Sequence, residues 1–486
     1  AVAPHLRPAE VRVAVQPLER FRDVVDEEAF GVWRAGIGAA ADALSGRVVW
    51  NVNSTARGGG VAEMLATQVG LARDAGIDAR WVVIGGTPAF FAVTKRLHNH
   101  IHGDEGDGGP LGARERDVLE GVLRDNADEL AAVVRRGDVV VLHDPQTAGL
   151  APVLRRRGAH VVWRCHIGHE DLRDPLVARA WDLLLPWIRQ ADATVFSRAP
   201  YVPSALRGGR VAIIRPAIDP FSPKNQPLPD EIAEAILVRA GLVEGRPDGT
   251  VCVFRRADGS PARVDRGADI LRVGRAPGPG VPLVVQVSRW DRLKDHIGVM
   301  RAFAGMEAAE AAGAHLVLAG PSVTGVADDP DGPAVLAELT AGWRALPHDA
   351  RRRVQIASLP MVDPTENAAM VNALQRRATV VVQKSLREGF GLTVCEAMWK
   401  GRAVVASAVG GLADQIDDGV DGLLIGDPRD PAALGRALVR LLRDDGGRAR
   451  LGAAAPARGP AQRPGSRFLP GAPGFRAGFF SRERPP

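Results

Sequence analysis

The 486-residue sequence has no apolar run that approaches the roughly 20 residues a membrane-spanning helix needs. Its first residues, AVAPHLRPAEVRV, also lack the apolar core of a secretory signal peptide. We therefore expect a cytoplasmic protein without a membrane partner.

Cysteine and aromatic residues are scarce. The three cysteines, Cys165, Cys252 and Cys395, are far apart and form no C-x-x-C pair, so neither a zinc site nor a disulfide framework is indicated and no metal ligand is assigned. A single tyrosine and a net charge of only +5 argue against a nucleic-acid partner, although the pI is about 9.5. The modest positive charge fits a small molecule that carries phosphate.

The order of apolar strands and amphipathic helices predicts an α/β fold. Residues 47–84 form a pattern of strand, glycine-rich loop, helix and strand, which is a βαβ unit and implies a parallel sheet. The second half repeats this pattern from PLVVQVS to GLLIGD. Two such halves predict two Rossmann-like domains facing each other across a cleft, with ligands at the carboxyl ends of the strands.

The proline-rich segment DPFSPKNQPLPDE predicts the boundary between the two domains, 1–215 and 216–450. Residues 244–280 interrupt the second domain and are interpreted as an insertion or a flexible hairpin. Residues 451–486 contain seven prolines and six glycines, which predicts a poorly ordered tail without a long helix.

The stretch EGFGLTVCE places Glu388 and Glu396 on either side of a glycine-rich turn that follows the strand TVVVQKS. The free N–H groups and dipole of the next helix favour an anion such as phosphate. Gly389 and Gly391 allow the backbone to approach a ligand closely. Because carboxylates accept hydrogen bonds from hydroxyls, the pattern favours a nucleotide sugar. The alternative is one helix-capping carboxylate and one solvated carboxylate.

EGFGLTVCE resembles the E-x7-E motif of retaining glycosyltransferases of the GT-B fold, in particular family four. The resemblance implies that Glu388 contacts the hydroxyls of the donor sugar and that Glu396 holds the ribose. Backbone groups of four residues would cradle the distal phosphate: Gly389, Phe390, Gly391 and Leu392.

The segment VSRWDRLKD supports the same resemblance. It presents Arg289 and Lys294 after a strand, similar to the Arg and Lys that bind the donor diphosphate in this family. Arginine supplies a bidentate fork and lysine a point charge, which together neutralise a leaving nucleoside diphosphate. Taken alone, the pair would more often be a solvated face.

Three first-domain segments resemble the family less specifically. NSTARGGGVAEM is similar to its glycine loop, which would bring Gly59 and Gly60, preceded by Gly58, to the donor; the alternative is a tight strand-to-helix turn. WRCHIG places His166 beyond a strand, where the family has its active-site histidine near the donor sugar and anomeric carbon, although a single histidine is more often structural.

LHDPQTAG lies at the end of the preceding strand and adds His143, Asp144 and Gln146. These side chains form a candidate acceptor shelf, so Asp144, Gln146 and His166 are the predicted acceptor-binding residues. Together with VWNVNSTARGGGVAEML, WRCHIG and IDPFSPKN, this stretch resembles the glycosyl-transferring trehalose synthases and the related trehalose phosphorylases.

The resemblance implies a retaining hexosyltransferase that makes α,α-trehalose from ADP- or UDP-glucose and free glucose. Attack on the front face, with the departing phosphate taking the acceptor's proton, would need no carboxylate nucleophile. Four residues would be catalytic: His166, Arg289, Lys294 and Glu388. No cofactor is required, although Mg²⁺ could accompany the diphosphate and stimulate transfer.

Several alternatives stay open. A trehalose phosphorylase would use orthophosphate on the same scaffold, and another family-four hexosyltransferase would differ only in its acceptor. A non-catalytic nucleotide-sugar sensor could keep the fold without turnover. The expected partners are a nucleoside diphosphate glucose and glucose or trehalose, and the sequence leaves a homodimer open.

Overall fold

The computed structural model describes residues 7–57, 59–246, 252–307, 309–323 and 331–457. The chain divides into two compact units, of which the first ends at Ala217 and the second begins at Ile218. The boundary predicted from the proline-rich segment lies close by, between residues 215 and 216. Among the residues given above, none of the helices has both the length and the hydropathy of a membrane span.

The first unit is built on a seven-stranded sheet that is parallel except for its first strand. The strands are β1 (Ala9–Glu10), β2 (Val48–Asn53), β3 (Asp78–Val83), β4 (Val139–His143), β5 (His160–Cys165), β6 (Ala193–Phe196) and β7 (Val211–Ile213). The α-helices are α1 (Glu27–Ala43), α2 (Gly60–Asp74), α3 (Pro88–Ile101), α4 (Ala113–Val133), α5 (Asp144–Thr147), α6 (Ala151–Arg156) and α7 (Pro175–Ile188).

The strand order of this sheet is β1-β3-β2-β4-β5-β6-β7. The chain leaves β2 for β3 on one side and returns to β4 on the other, so the direction of winding reverses between β2 and β4. In open parallel sheets, such a reversal opens a crevice at the carboxyl ends of the two strands. The loops after β2 and β4 therefore border the crevice of the first unit, the place where sheets of this kind bind ligands.

The second unit has its own seven-stranded sheet and a separate two-stranded hairpin. The strands are β8 (Val253–Arg255), β9 (Pro261–Arg263), β10 (Asp269–Leu271), β11 (Leu283–Val287), β12 (His315–Pro321), β13 (Val354–Leu359), β14 (Val380–Gln383), β15 (Ala403–Ser407) and β16 (Leu423–Ile425). The α-helices are α8 (Asp230–Ala240), α9 (His296–Ala304), α10 (Gly332–Arg344), α11 (His348–Arg352), α12 (Pro364–Arg377), α13 (Leu392–Trp399), α14 (Gly410–Ala413), α15 (Pro431–Arg443) and α16 (Asp445–Ala457).

The second sheet has the order β10-β13-β12-β11-β14-β15-β16 and reverses between β11 and β14. Every residue of β11 and β14 is buried, as expected of parallel strands covered on both faces. The segments that follow these two strands carry the VSRWDRLKD and EGFGLTVCE motifs. The fold thus brings both motifs to one edge of one sheet.

The segment interpreted as an insertion or a flexible hairpin is more integrated than expected. β8 and β9 do pair as an antiparallel hairpin. β10, however, pairs antiparallel with β13 and forms the edge of the main sheet, with Ile270 opposite Ala357. Ile270 is partly buried against the core, which explains why this strand joins the sheet. Residues 247–251 lie outside the described residues.

The structure contradicts the prediction that a poorly ordered tail begins at residue 451. Helix α16 runs to Ala457, so residues 451–457 are helical. Leu451 is buried in the core of the second unit, and Gly452 lies so close to Gly401 that an added β-carbon would clash with its carbonyl oxygen. These contacts hold the last turns of the helix in spite of the local glycine and proline residues. The rest of the predicted tail, 458–486, lies outside the described residues.

We expect Leu451→Ala to lower the free energy of unfolding by roughly 2–4 kcal/mol, because it removes a buried side chain and leaves a cavity. Chemical denaturation would measure the change. Arg450→Ala, at the exposed preceding position, is the control and should stay within about 0.5 kcal/mol of the parent. Equal effects of the two substitutions would show that α16 does not contribute to the core.

Candidate functional site

Lys294 and Glu388 meet at the point where the second sheet reverses its winding. Lys294 ends the short 3₁₀ turn Arg292–Lys294 after β11, and Glu388 lies in the turn after β14. The Lys294 Nζ atom is 2.7 Å from Oε1 and 2.6 Å from Oε2 of Glu388. The two side chains are only 19% and 9% exposed, so solvent screens this pair less than a surface ion pair.

The Glu388 carboxylate is also held from the end of its own strand. The Ser385 hydroxyl donates a hydrogen bond of 2.9 Å to Oε2, and the Gln383 amide lies 3.4 Å from the same oxygen. The Leu386 N–H donates to the Leu293 carbonyl at 2.7 Å and thereby ties the two loops together. The carboxylate is thus oriented by donors from both strand ends.

The turn between Glu388 and α13 has a fixed backbone. Gly391 has a φ of +91°, and a β-carbon at this position would clash with Leu412. The buried Gln415 amide donates to the carbonyl oxygens of Phe390 and Gly411, the latter at 3.1 Å. The first N–H groups of α13 follow directly, and such groups have no acceptor within their own helix.

Glu396 belongs to a second polar cluster, on the buried side of α13. It is the fifth residue of the helix and only 4% exposed. The Gln375 amide lies 3.3 Å from Oε2, and the Lys224 Nζ atom lies 3.8 Å from Oε1. The side chain of Lys400 donates to the Gln375 amide oxygen at 2.7 Å and to the Glu396 carbonyl at 3.2 Å. Glu388 and Glu396 therefore have separate sets of partners.

Arg289 and Lys294 both follow β11. Arg289 lies two positions beyond the last residue of the strand and is half-buried. Since the carboxyl ends of β11 and β14 are neighbours, both cationic residues lie at the edge that carries Glu388. A cationic edge next to a helix N-terminus suits an anionic ligand.

In the first unit, two histidines and an aspartate lie together at the ends of β4 and β5. The imidazoles of His143 and His166 are stacked, with Nδ1 of His143 3.0 Å from Nε2 of His166. Asp144 has a φ of +62°, and its Oδ1 accepts the His166 backbone N–H at 2.8 Å. Nε2 of His143 lies 3.2 Å from the Asn51 side-chain oxygen at the crevice between β2 and β4.

Burial dominates the electrostatics of this cluster. Burial and the nearby Arg164 charge lower the pKa of His143 to about 3 and that of His166 well below its ordinary value. Burial also raises the pKa of Asp144 to about 7 and lowers the pKa of Arg164 to about 10. Both imidazoles are therefore neutral at pH 7, and each has one donor and one acceptor nitrogen.

The remaining predicted residues of the first unit lie near the same strand ends. Gly59 is the N-cap residue of α2 and Gly60 its first residue, in the connection after β2. Gln146 lies in the short helix α5 directly after β4 and is half-buried. Gly58 lies outside the described residues.

Both halves of the chain match families of known proteins. Residues 51–203 match the family described as "Trehalose synthase, N-terminal domain", and residues 271–458 match "Glycosyl transferases group 1". The trehalose synthase of Rubrobacter xylanophilus is 35% identical over 437 residues, which is 88% of this chain and 88% of that protein. The trehalose synthase of Thermococcus litoralis is 33% identical and covers 85% of this chain and 86% of its own length.

The chain therefore belongs to the trehalose synthase family of glycosyltransferases.

A solved structure agrees with this assignment at the level of the fold. The α,α-trehalose-phosphate synthase (UDP-forming) from Burkholderia xenovorans in complex with glucose-6-phosphate superposes with a TM-score of 0.60 and 17% identity, over 84% of this chain and 95% of that one. The predicted GT-B fold and glycosyltransferase family are confirmed, and the enzyme carries out trehalose-related glycosyl transfer.

Four residues that contact Glu388 or Glu396 were not predicted from the sequence. Gln383 and Ser385 orient Glu388, and Gln375 and Lys400 contact Glu396. The signal that could have found the first two is the run of polar residues QKS, which begins at the last residue of a fully buried strand. Gln375 carries no such signal, because it lies within an ordinary helical pattern of α12.

The described residues include no group of three or more His, Cys, Asp or Glu side chains placed to hold a metal ion. The three cysteines are buried free thiols. Burial raises the pKa of all three thiols, which disfavours the reactive thiolate.

We expect Asp144→Ala to lower the free energy of unfolding by roughly 1–3 kcal/mol. It removes the acceptor of the His166 N–H and places a β-carbon residue without a polar side chain at positive φ. Asp144→Asn is the matched control, because asparagine tolerates this φ and keeps an oxygen acceptor. Denaturation of both variants would measure the difference, and equal losses would contradict this structural role of the carboxyl group.

The raised pKa of Asp144 also predicts a pH dependence. The folded-state pKa of about 7 exceeds the unfolded value of about 3.9, so the associated stability is complete below pH 4 and is lost as the pH rises to 7. Asp144→Asn lacks this titration. The stability of the parent relative to Asp144→Asn should therefore fall between pH 4 and pH 7, and a constant difference would refute the raised pKa.

Proposed function

We propose that this enzyme transfers glucose from a nucleoside diphosphate glucose, ADP- or UDP-glucose, onto the anomeric hydroxyl of free glucose and forms α,α-trehalose with retention. The observation that carries the proposal is the Lys294–Glu388 pair beside the N-terminus of α13, at the switch point of the second sheet. The trehalose synthases that align with most of this chain support the choice of product.

The second unit would bind the donor. Arg289 and Lys294 would neutralise the diphosphate, and Glu388 would accept hydrogen bonds from hydroxyls of the transferred sugar once the phosphate competes for the Lys294 ammonium. Glu396 would hold the ribose. The backbone of the fixed turn would cradle the distal phosphate: Gly389, Phe390, Gly391 and Leu392.

The first unit would bind the acceptor through Asp144, Gln146 and His166, with Gly59 and Gly60 allowing close approach of the donor. Because both imidazoles of the cluster are neutral, His166 would orient a sugar hydroxyl without adding a full charge beside the anomeric carbon. This favours a positioning role for His166 over proton transfer at neutral pH.

Transfer would proceed on the front face of the donor sugar. The bond from the anomeric carbon to the phosphate oxygen breaks, the bond to the acceptor oxygen forms, and the acceptor's proton passes to the departing phosphate. Arg289, Lys294 and the N–H groups at α13 would stabilise the charge that grows on the diphosphate. A Mg²⁺ ion accompanying the diphosphate would be held mainly by phosphate and water.

Product analysis tests the reaction directly. The purified protein would be incubated with ADP- or UDP-glucose and glucose, and the products followed by proton NMR, with glucose 6-phosphate as a competing acceptor and trehalose plus orthophosphate in a separate reaction. We expect α,α-trehalose and the nucleoside diphosphate. Trehalose 6-phosphate as the main product, or glucose 1-phosphate released only with orthophosphate, would refute the proposed acceptor or donor.

Lys294→Ala should reduce kcat/KM by about 100-fold, because one preorganised cation on the leaving group typically contributes about 3 kcal/mol. Arg292→Ala is the matched control. Arg292 lies in the same turn, but its guanidinium pairs with Glu338 and is half-exposed, so we expect less than about a twofold change. Thermal denaturation would confirm that both variants are folded. Similar rates for the two variants would refute the role of Lys294.

Glu388→Gln keeps the size of the side chain and removes its charge. If the carboxylate binds the donor sugar, transfer should fall by roughly 10- to 100-fold, which corresponds to losing a charged hydrogen bond. Steady-state kinetics with either donor would measure this loss. An unimpaired Glu388→Gln variant would rule out the sugar contact.

A further inference from the structure

The second unit contains a cavity of about 480 Å³ at the edge of the sheet opposite Lys294 and Glu388. Thr379 and Arg402, which directly precede β14 and β15, form part of its wall. The other walls come from α8, α12 and α16. The cavity therefore lies at the amino ends of the strands, roughly 15 Å from the carboxyl edge for a five-residue strand such as β15.

Charged side chains make up most of the cavity wall. Four arginines and three carboxylates line it: Arg376, Arg377, Arg402, Arg448, Asp230, Glu234 and Asp445. Burial lowers the pKa of both Arg376 and Arg402, and nearby guanidinium charges add to the effect. The arginines thus remain cationic but repel one another in a partly desolvated space.

Two of the arginines form ion pairs with carboxylates of the wall. The Arg377 Nε atom lies 3.5 Å from Glu234, and the Arg448 Nη2 atom lies 2.7 Å from Asp445. Arg377 also donates to the Val281 carbonyl at 3.0 Å. These cations are already compensated by the protein.

Arg376 is held by uncharged oxygens. Its guanidinium donates to the Asn372 side-chain oxygen at 3.0 Å and to the Gln226 carbonyl at 2.9 Å. These contacts fix the guanidinium without neutralising its charge. Burial lowers the pKa of Arg376, and the negative charge of Asp230 raises it. Asp230 therefore offsets part of the cost of burying this guanidinium.

Arg402 is different. Its half-buried guanidinium makes no ion pair with a described carboxylate, its buried Nε atom has no hydrogen-bond partner among the described residues, and Asp230 offsets only part of the cost of burial from a longer distance. Asp230, the exposed first residue of α8, makes no ion pair within 4.0 Å of another described side chain, so its carboxylate is open to solvent and to a ligand. Leaving a buried charged donor unpaired is costly. A ligand anion at Arg402 would remove this cost.

We propose that this cavity is a second ligand site that binds a phosphorylated sugar, with the phosphate on Arg402 and sugar hydroxyls on Asp230. The volume is far larger than a bare phosphate needs and falls in the range of small-molecule sites. Guanidinium groups favour phosphate through paired N–H donors, and carboxylates accept hydrogen bonds from hydroxyls. A half-buried arginine without an ion pair and an exposed carboxylate in the same wall suit a ligand that carries both a phosphate and hydroxyl groups.

Isothermal titration calorimetry with glucose 6-phosphate tests the site, with orthophosphate and glucose as partial ligands. Arg402→Met should weaken glucose 6-phosphate binding by about 10- to 100-fold, as expected for a lost charge-assisted hydrogen bond. Arg450→Met removes the same charge from an exposed position of α16 and is the matched control, for which we expect unchanged affinity. Asp230→Asn should weaken glucose 6-phosphate more than orthophosphate.

Lys294→Ala separates this site from the donor edge. If glucose 6-phosphate binds at Arg402, its affinity should survive Lys294→Ala and fall in Arg402→Met. The reverse pattern, or equal affinity in Arg402→Met and Arg450→Met, would overturn the proposal. Arg402→Met removes a half-buried cation whose burial Asp230 offsets only in part, so it should fold about as stably as the parent. Arg402→Lys keeps the charge and should retain most of the affinity. Thermal denaturation would confirm that both variants are folded.

Discussion

The adjacency of β11 and β14 at the switch point of the second sheet is the constraint on which the proposed donor site depends. Lys294 and Glu388 are 94 positions apart in the chain, and only parallel pairing of these two strands brings their carboxyl ends together. Ser385 and Gln383 then fix the carboxylate from the strand end. The positions of these side chains therefore depend first on the register of a buried sheet and only second on the conformation of the loops that carry them.

The polar cluster around Glu396 is buried, so its charged groups depend on their partners in the protein. Glu396 and Lys400 are almost fully enclosed, and burial lowers the pKa of Lys400 to about 7. Removing charges from water is costly unless each is paired and hydrogen-bonded. Gln375 hydrogen-bonds both side chains, since its amide nitrogen faces Glu396 and its amide oxygen faces Lys400. The Glu396 charge is paired with Lys224 and also attracts the Lys400 ammonium. The cluster thus stabilises one geometry of α13 relative to α12.

The fold class could be predicted from the sequence, because strand and helix periodicity are local signals. The EGFGLTVCE motif is local as well and identifies Glu388 and Glu396 as residues of the proposed donor site. The position of β10 could not be predicted, since its three residues join the sheet only through pairing with β13. The supporting role of Gln375 depends on the side-chain directions of two packed helices. Likewise, Leu451 lies in a glycine- and alanine-rich stretch whose composition gives no sign of the core that it fills.

The two edges of the second sheet are physically connected through short stretches of chain. Gln375, which contacts Glu396, directly precedes Arg376 in the wall of the cavity, and Lys400 lies two positions before Arg402. Lys400 also binds the Asn225 side chain, whose segment accepts hydrogen bonds from Arg376. A shift of residues 375–376 or of residues 400–402 would therefore move side chains both beside Glu396 and in the wall of the cavity. Coupling through such a contact network is reciprocal when binding at one place alters the geometry of the other. The buried cluster around Glu396 is thus linked through Gln375 and Lys400 to Arg376 and Arg402 at the opposite edge.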